Sequence, residues 1–283
     1  AAEELGQLLP SGAYDEVLSA LRKADECLQL YLREFPLPAL SFELGADTLS
    51  LLKTRNACLD ADQFFELISL CLAQSGAYRH LKEHRLEAPE LFALIEEDPP
   101  LPQIPKAIEA VFDPHRTVRS SASRELADIR SSMGKKRTAA DRIFYRVRQK
   151  LASKGLLGDI DESVHDNRRV LAVQAGYKSQ VNGIFHGSSN KHSLYYMEPS
   201  ECIAINNEIA QLIDEERKEV QRILRQLTAE MALYQPQLER YRDLLIRLDV
   251  VRAKAQFGKR FDCIVPRVNR EGRTRLIEAR NPV

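Results

Sequence analysis

The apolar positions between residues 200 and 257 recur every three or four residues, with one double step across Glu216. This spacing places them along one face of a single very long helix. Pro199 fixes the entry and Ser200 can cap the first free amides, whereas Pro236 removes a backbone donor and predicts a kink or a break. If continuous, the helix is about 80 Å long, so another element must cover its stripe. The stripe consists of Ile205, Ile209, Leu212, Val220, Ile223, Leu227, Met231, Tyr234, Leu238, Tyr241, Leu245 and Leu248.

A second, thinner stripe follows residues 123–151 and is interrupted at 134–137. Two such helices joined by an insertion predict an antiparallel coiled coil, 123–151 against 200–234. In the insertion, residues 160–199, the period changes and predicts a small antiparallel sheet. Its three strands are expected at 169–175, 181–186 and 193–197, and a further hairpin at 261–268 and 273–278.

The first part of the chain is patterned almost entirely as helix. Helices are expected over residues 13–34, 60–81 and 89–95, a short helix or turn over 49–56, and a small amphipathic turn over 104–112. The fold class is therefore mainly α, with a helical core, long antiparallel helices and a small antiparallel β-sheet insertion.

Charge is balanced overall but unevenly distributed. The 283 residues contain 41 Lys and Arg and 41 Asp and Glu. Residues 1–111 carry 19 acids against 9 bases, whereas residues 116–154 carry 12 bases against 3 acids. A local excess of this size on a helix indicates an anionic partner, with nucleic acid the leading candidate.

The residues expected to contact phosphate come from the basic helix and from a polar loop beside it. They are Arg119, Lys135, Lys136, Arg137, Arg142 and Arg146 on the basic segment, and His186, Ser188, Ser189 and Lys191 around the loop 187–192. Other cations are expected to pair with the long helix, for instance with Asp214, Glu215 and Glu219. A solvated helix face with no nucleic-acid role stays the alternative.

Candidate chemistry elsewhere is weak. His80 and His84 are four residues apart, but the sequence HLKEH lacks a glutamate where a zinc protease needs its base, so a solvated helix face is favoured over a metal site. Cys202 with His186 or His192 lacks an oxyanion hole, which favours a buried structural cysteine.

Large classes of function are excluded by missing patterns. The five cysteines are scattered, which predicts an intracellular, cytoplasmic protein without disulfides. No apolar run is long enough for a membrane span. Neither GxxxxGK[ST] nor GxGxxG occurs, so the chain alone is expected to hydrolyse no nucleotide and to hold no cofactor or metal.

Two stretches resemble a known family. VRSSASRELADIR at 118–130 and RRVLAVQAGYKSQVNGIFHGSSNKHSLYYMEPSECIAINNEIAQLIDEERKEVQRILRQL at 168–227 are similar to the core of the MutS superfamily, and above all to its second bacterial type. The closing RLIEARNPV resembles the point where that core runs into an ATPase domain, with Asn281 in place of the usual His. The loop 190–193 departs from the family's SGAT-like sequence, which puts a backbone contact there in doubt.

The resemblance implies a fragment made of lever helices and an inserted clamp. It implies a helical core at 1–119, a clamp arm at 120–235 with its sheet tip at 160–199, and a return lever helix at 236–283 linked to a missing ATPase domain. The implied function is engagement of double-stranded or branched DNA, or of stalled ribosomes, by a homodimeric parent ATPase that uses ATP and Mg. Mismatch recognition is not expected, and a purely structural coiled-coil module is the alternative.

Overall fold

The structure, a computed structural model, describes residues 13–165, 168–190, 192–277 and 279, and the backbone alone of Asp159 and Ile160. Within this part the chain is mainly helical with one small antiparallel sheet, as predicted. No described helix is long and apolar enough to cross a membrane. In chain order the helices are α1 (Tyr14–Leu32), α2 (Thr48–Leu51), α3 (Ala61–Glu83), α4 (Pro89–Ile95), α5 (Gln103–Val111), α6 (Arg124–Ala152), α7 (Ser200–Ala232) and α8 (Gln235–Arg260).

The chain divides into two compact units. Unit 1 combines Ala1–Thr117 with Leu224–Val283, and unit 2 is Val118–Ile223. The division falls within α7, because the end of this helix belongs to the first unit.

Side chains cap the helices of unit 1 in two ways. At the start of α3, the Gln63 amide donates to Asp60 Oδ1 (2.9 Å) and the Asp60 amide donates to Gln63 Oε1 (3.0 Å), which is a capping box. At the start of α4 the acceptor comes from α1, since Glu26 accepts from the amides of Glu90 (3.1 Å) and Leu91 (2.9 Å). The long-range cap therefore fixes α4 against α1.

The core of unit 1 joins its first helices to α8, and its fully buried side chains include Phe64, Leu67, Leu91, Ile104, Leu238, Tyr241 and Leu245. The predicted break in the long helix is confirmed. One helix ends at Ala232 and the next begins at Gln235, with Pro236 in its first turn.

In unit 2, α6 and α7 run antiparallel. Ser123 caps α6 by accepting from the Leu126 amide (3.0 Å) and donates to Glu219 on α7 (2.6 Å). Further along, Arg130 pairs with Glu216 and Lys136 with Glu208, so residue numbers rise on one helix as they fall on the other. The apolar residues of α7 between 203 and 220 are only partly buried, which leaves the coiled-coil packing of the two stripes a prediction.

The sheet packs on the end of α6. Its strands are β1 (Leu157–His165), β2 (Arg168–Gln174), β3 (Gly183–Ser188) and β4 (Leu194–Pro199), in the order β1-β2-β4-β3. Pairing is antiparallel throughout, with Leu171 opposite Met197 and Phe185 opposite Met197 on the other side. The three predicted strands are confirmed, and β1 is an additional strand that the sequence pattern did not indicate.

The hairpin predicted at 261–268 and 273–278 is wrong for the described residues, because 261–277 contain no strand and Glu278 lies outside them. A turn does form, since Asn269 Nδ2 donates to the Arg273 carbonyl (2.8 Å). The described residues of the two flanks lack a buried face: Ile264 is 89% exposed and Leu276 is 77% exposed. A lone two-stranded hairpin without a buried face is unstable in water.

Candidate nucleic-acid interface

The outward side of α6 carries a row of cations. Lys135, Arg142, Arg146 and Lys150, here called the outer basic stripe, follow one another at steps of seven, four and four residues. This spacing aligns them on one helix face. The buried residues Met133, Phe144, Val147 and Leu151 fall on the opposite side, and the last three belong to the hydrophobic core of unit 2. All four stripe residues are exposed, and none has an ion-pair partner among the residues the structure describes.

Three cations on the flanks of α6 are, by contrast, neutralised. Lys136 pairs with Glu208, Arg130 Nε donates to Glu216 Oε1 (2.7 Å), and Arg148 Nη2 lies 2.8 Å from Asp161 Oδ2. Among the described cations of α6 that have no ion pair, only Arg137 lies off the outward face.

The acids that perform this pairing are not the expected ones. Asp214 lies 3.8 Å from Arg217 on its own helix, and Glu219 accepts from Ser123 and Arg222. The hydrogen bonds from Arg222 and Ser123 lower the pKa of the Glu219 carboxyl, although its burial opposes the shift. The expectation that cations of the basic helix pair with acids of the long helix is thus confirmed through Glu216 and Glu208. The examples named for it are wrong, because Asp214 and Glu219 pair within their own helix and Glu215 has no ion pair among the described residues.

Two other predicted contact residues lie away from the stripe. Arg119 is exposed and precedes the 3₁₀ turn Ser120–Ala122, before α6 begins. Arg137 lines a cleft of about 370 Å³ between α6 and α7, together with Arg168 and Arg169 of β2. The structure therefore does not bring all the predicted cations onto one surface.

Hydroxyl groups of the loop between β3 and β4 serve mainly to shape the loop. Ser188 Oγ lies 2.8 Å from His192 Nδ1, and the Leu194 amide donates to Ser189 Oγ (3.2 Å). His192 has a φ of 50°, an unusual conformation for a residue other than glycine. Lys191 falls outside the described residues.

His186 faces a buried carboxylate rather than the loop's outer surface. Its Nε2 lies 2.9 Å from Glu198 Oε2, and its side chain is 15% exposed. Glu198 is fully buried and also accepts from Arg168 (2.8 Å) and Asn206 (2.8 Å). Burial alone would raise the pKa of Glu198, but the hydrogen bonds from Asn206, His186 and Arg168 outweigh it and lower the pKa. This network joins β2, β3, β4 and α7.

The two weaker candidate sites, His80 with His84 and Cys202, have surroundings that are typical of structural rather than catalytic residues. The rings of His80 and His84 lie 4.8 Å apart and His84 stacks on Phe35 (4.7 Å). Burial raises the pKa of the Cys202 thiol to about 11, which suits a core position rather than a nucleophile. No group of three or more possible metal ligands occurs in the described part of the chain.

Sequence reasoning omitted one member of the stripe from the contact residues. Lys150 lies four residues after Arg146, so helical periodicity alone was a sufficient signal.

Comparison with known proteins supports the resemblance noted in the sequence. No protein-family model matches the chain. It is similar to endonuclease MutS2 of Geobacillus sp. (strain WCH70), with 28% identity over 99% of this chain and 36% of the relative. The putative endonuclease MutS2 of Bacillus subtilis (strain 168) is likewise 28% identical over 99% of this chain and 36% of its own length.

A relative from Listeria monocytogenes serotype 4a (strain HCC23), also named endonuclease MutS2, is 31% identical over 72% of this chain and 26% of its own length. These similarities support a MutS2-like relationship over nearly the whole chain. The chain spans 36% of the length of the first of these relatives.

Proposed function

We propose that this chain is the lever and clamp module of a MutS-like protein, and that it holds nucleic acid by its phosphate backbone without reading sequence. The observation that carries this proposal is the outer basic stripe, whose four cations are exposed and have no ion-pair partner among the described residues. Helix faces that are merely solvated commonly mix both signs of charge, as the flanks of α6 do.

The stripe has dimensions suited to a polyanion. Lys135 and Lys150 are fifteen residues apart on one helix, which corresponds to about 22 Å. Duplex DNA carries one negative charge per roughly 1.7 Å of its axis, so several phosphates fall within that length. Contacts of this kind release counterions and give affinity without sequence preference.

In the parent protein, this module is proposed to work beside an ATPase domain that binds ATP and Mg. By this proposal the parent is a cytoplasmic homodimer that acts on branched DNA or on stalled ribosomes, with lever position coupled to nucleotide state. The relationship to proteins named endonuclease MutS2 supports a nucleic-acid-related role.

The alternative is a structural module whose antiparallel helices only join other parts of a protein. The interhelical pairs Arg130–Glu216 and Lys136–Glu208 favour it, because they use cations of α6 for internal pairing. The two proposals differ in the role of the outer basic stripe. Its cations contact phosphate in the first proposal and only solvent in the second.

The experiment measures fluorescence anisotropy of a labelled duplex and a branched junction at several salt concentrations. Reversal of three stripe residues, Lys135→Glu, Arg142→Glu and Arg146→Glu, should weaken binding of both. Each lost phosphate contact should reduce the magnitude of the slope of log K against log salt by roughly 0.9 on duplex. Replacing His186 by Ala should mainly destabilise the sheet.

A matched control reverses three exposed cations of unit 1, through Arg55→Glu, Arg79→Glu and Lys82→Glu. It changes the net charge by the same amount. It therefore separates a local contact between the stripe and phosphate from the general attraction of a positively charged protein to nucleic acid. Unchanged affinity and slope in the stripe variant, with native circular dichroism, would show that the stripe is only a solvated face.

A further inference from the structure

Two aromatic rings pack together at the edge of the sheet, beside a lysine. Lys178, Phe185 and Tyr195, here called the aromatic patch, come from the 3₁₀ turn Ala175–Gln180, the edge strand β3 and its neighbour β4, and Tyr177 precedes Lys178 in the turn. Phe185 is 46% exposed and Tyr177 is 37% exposed. Clustered aromatic residues at a surface commonly mark a binding site.

The fold explains why these rings are uncovered. Phe185 lies opposite Met197 and therefore on the sheet face that meets the core. The core cluster covers Met197, Leu171 and Val173 but reaches only partly over Tyr195. Strand β3, at the edge of the sheet, contributes no residue to this cluster, and Phe185 therefore stays exposed.

Lys178 occupies the centre of the patch. Its Nζ lies 4.5 Å from the ring centroid of Phe185 and 4.6 Å from that of Tyr195, and the two rings are 5.5 Å apart. No ion pair of Lys178 occurs within the part of the chain that the structure describes. The turn Ala175–Gln180 and strand β3 contain no acidic residue. The patch thus offers ring faces together with one unneutralised positive charge.

We infer that the aromatic patch binds unpaired nucleotides of a DNA or RNA strand, by stacking bases on its rings and pairing a phosphate with Lys178. This inference rests on the proposed nucleic-acid function and adds a substrate class to it. A base and its phosphate satisfy the rings and the ammonium group at once. An apolar protein segment would instead bury the ammonium group without a partner, which is unfavourable.

The test uses the 283-residue chain and three labelled probes of equal length: single-stranded DNA, single-stranded RNA and blunt duplex DNA. Phe185→Leu keeps an apolar side chain but removes the ring. It should weaken binding of single strands by roughly five- to tenfold and leave duplex affinity within about twofold. Phe257→Leu is the matched control, because Phe257 is 50% exposed in unit 1.

Two further readouts separate stacking from charge. A 2-aminopurine base in the single strand should be quenched by the wild-type chain and less by the Phe185→Leu variant. Lys178→Gln should reduce the magnitude of the salt slope for single strands by about 0.7, whereas Lys82→Gln, at another lysine lying over a ring, should not. The DNA and RNA probes show which strand is preferred.

The outcomes distinguish the role of the aromatic patch from the role of the outer basic stripe. Equal loss on single strand and duplex, or no loss in the Phe185→Leu variant, overturns the role of the patch while leaving the stripe's duplex binding intact. Selective loss on single strands together with unaltered duplex binding by the stripe variant overturns the stripe instead. Absence of all nucleic-acid binding overturns both.

Discussion

A single buried carboxylate joins several elements of unit 2. Glu198 is fully buried, and its oxygens accept hydrogen bonds from Arg168, His186 and Asn206. A buried charge is costly unless its hydrogen-bonding capacity is satisfied, so these donors determine whether the carboxylate is tolerated. The sequence places His186 near a polar loop but does not reveal this partner, because the contact depends on the register of β3 with β4.

We predict that Glu198→Gln lowers the free energy of unfolding by about 2 kcal/mol at neutral pH, since hydrogen bonds to charged groups contribute roughly 1.5–3 kcal/mol. The pKa of Glu198 is lowered from 4.5 in the folded state, so its stabilisation is present above that value and is lost as the pH falls below it. Urea titrations followed by circular dichroism should therefore show a weaker acid dependence in the variant. The exposed Glu201→Gln is the control, and equal stability of both variants would contradict the prediction.

A glycine allows β3 to approach β4 closely. A Cβ atom on Gly183 would lie 2.1 Å from the carbonyl oxygen of Glu198, which is backbone and cannot turn aside. We predict that Gly183→Ala costs about 1–3 kcal/mol, the usual range for overpacking, and displaces the edge strand. Gly176→Ala is the matched control because a Cβ there meets nothing within 4 Å. Thermal unfolding midpoints compare the two, and a midpoint of Gly183→Ala equal to that of the control would refute the steric argument.

At the scale of elements, the stripe along α7 is buried unevenly. Leu227 is 4% exposed, whereas Ile209 is only partly buried. The periodicity alone predicts that an acid at either position costs several kcal/mol. The structure limits that expectation to the well-covered part of the helix.

We predict that Leu227→Asp lowers the free energy of unfolding by roughly 4 kcal/mol and that Ile209→Asp lowers it by roughly 1 kcal/mol, because only the first buries an unpaired charge. Gln211→Asp, at an exposed position of the same helix, controls for the added negative charge. Chemical denaturation measures all three. Equal losses at residues 209 and 227 would mean that the stripe is covered throughout.

Long, strongly periodic segments could be predicted from the sequence, and irregular pairing could not. Helices such as α3 and α6 have apolar spacing, a capping residue and a clear end. Strand β1 was missed because its sequence LGDIDESVH carries three acids and does not alternate, and its pairing with β2 is interrupted by a register shift between Leu157 and Glu162.

The candidate site could likewise be predicted only where it follows helical periodicity. Helical spacing identifies the outward cations of α6, whereas the aromatic patch depends on strand order. Lys178 meets the rings of Phe185 and Tyr195 only because the strands place these residues beside the 3₁₀ turn, which no local pattern reveals.

At the scale of the whole molecule, the chain offers no phosphate-binding loop of the GxxxxGK[ST] type. We predict that the purified chain releases no phosphate from ATP, because the backbone amides and the lysine that hold the phosphates are missing. The measurement is a colorimetric phosphate assay across the fractions of a size-exclusion column. Turnover that follows the protein peak through a second, different column would contradict this.

Unit 1 is discontinuous, and this has a consequence for the order of events during synthesis. Its core needs Leu238, Tyr241 and Leu245 of α8, which leave the ribosome after the whole of unit 2. Unit 2 is one uninterrupted stretch that ends at Ile223, so all its residues are available earlier. Domains usually fold from the N-terminus as they emerge. Here we expect unit 2, the middle of the chain, to fold first. The helices of unit 1 that are translated before it can complete their core only after α8 has been synthesised.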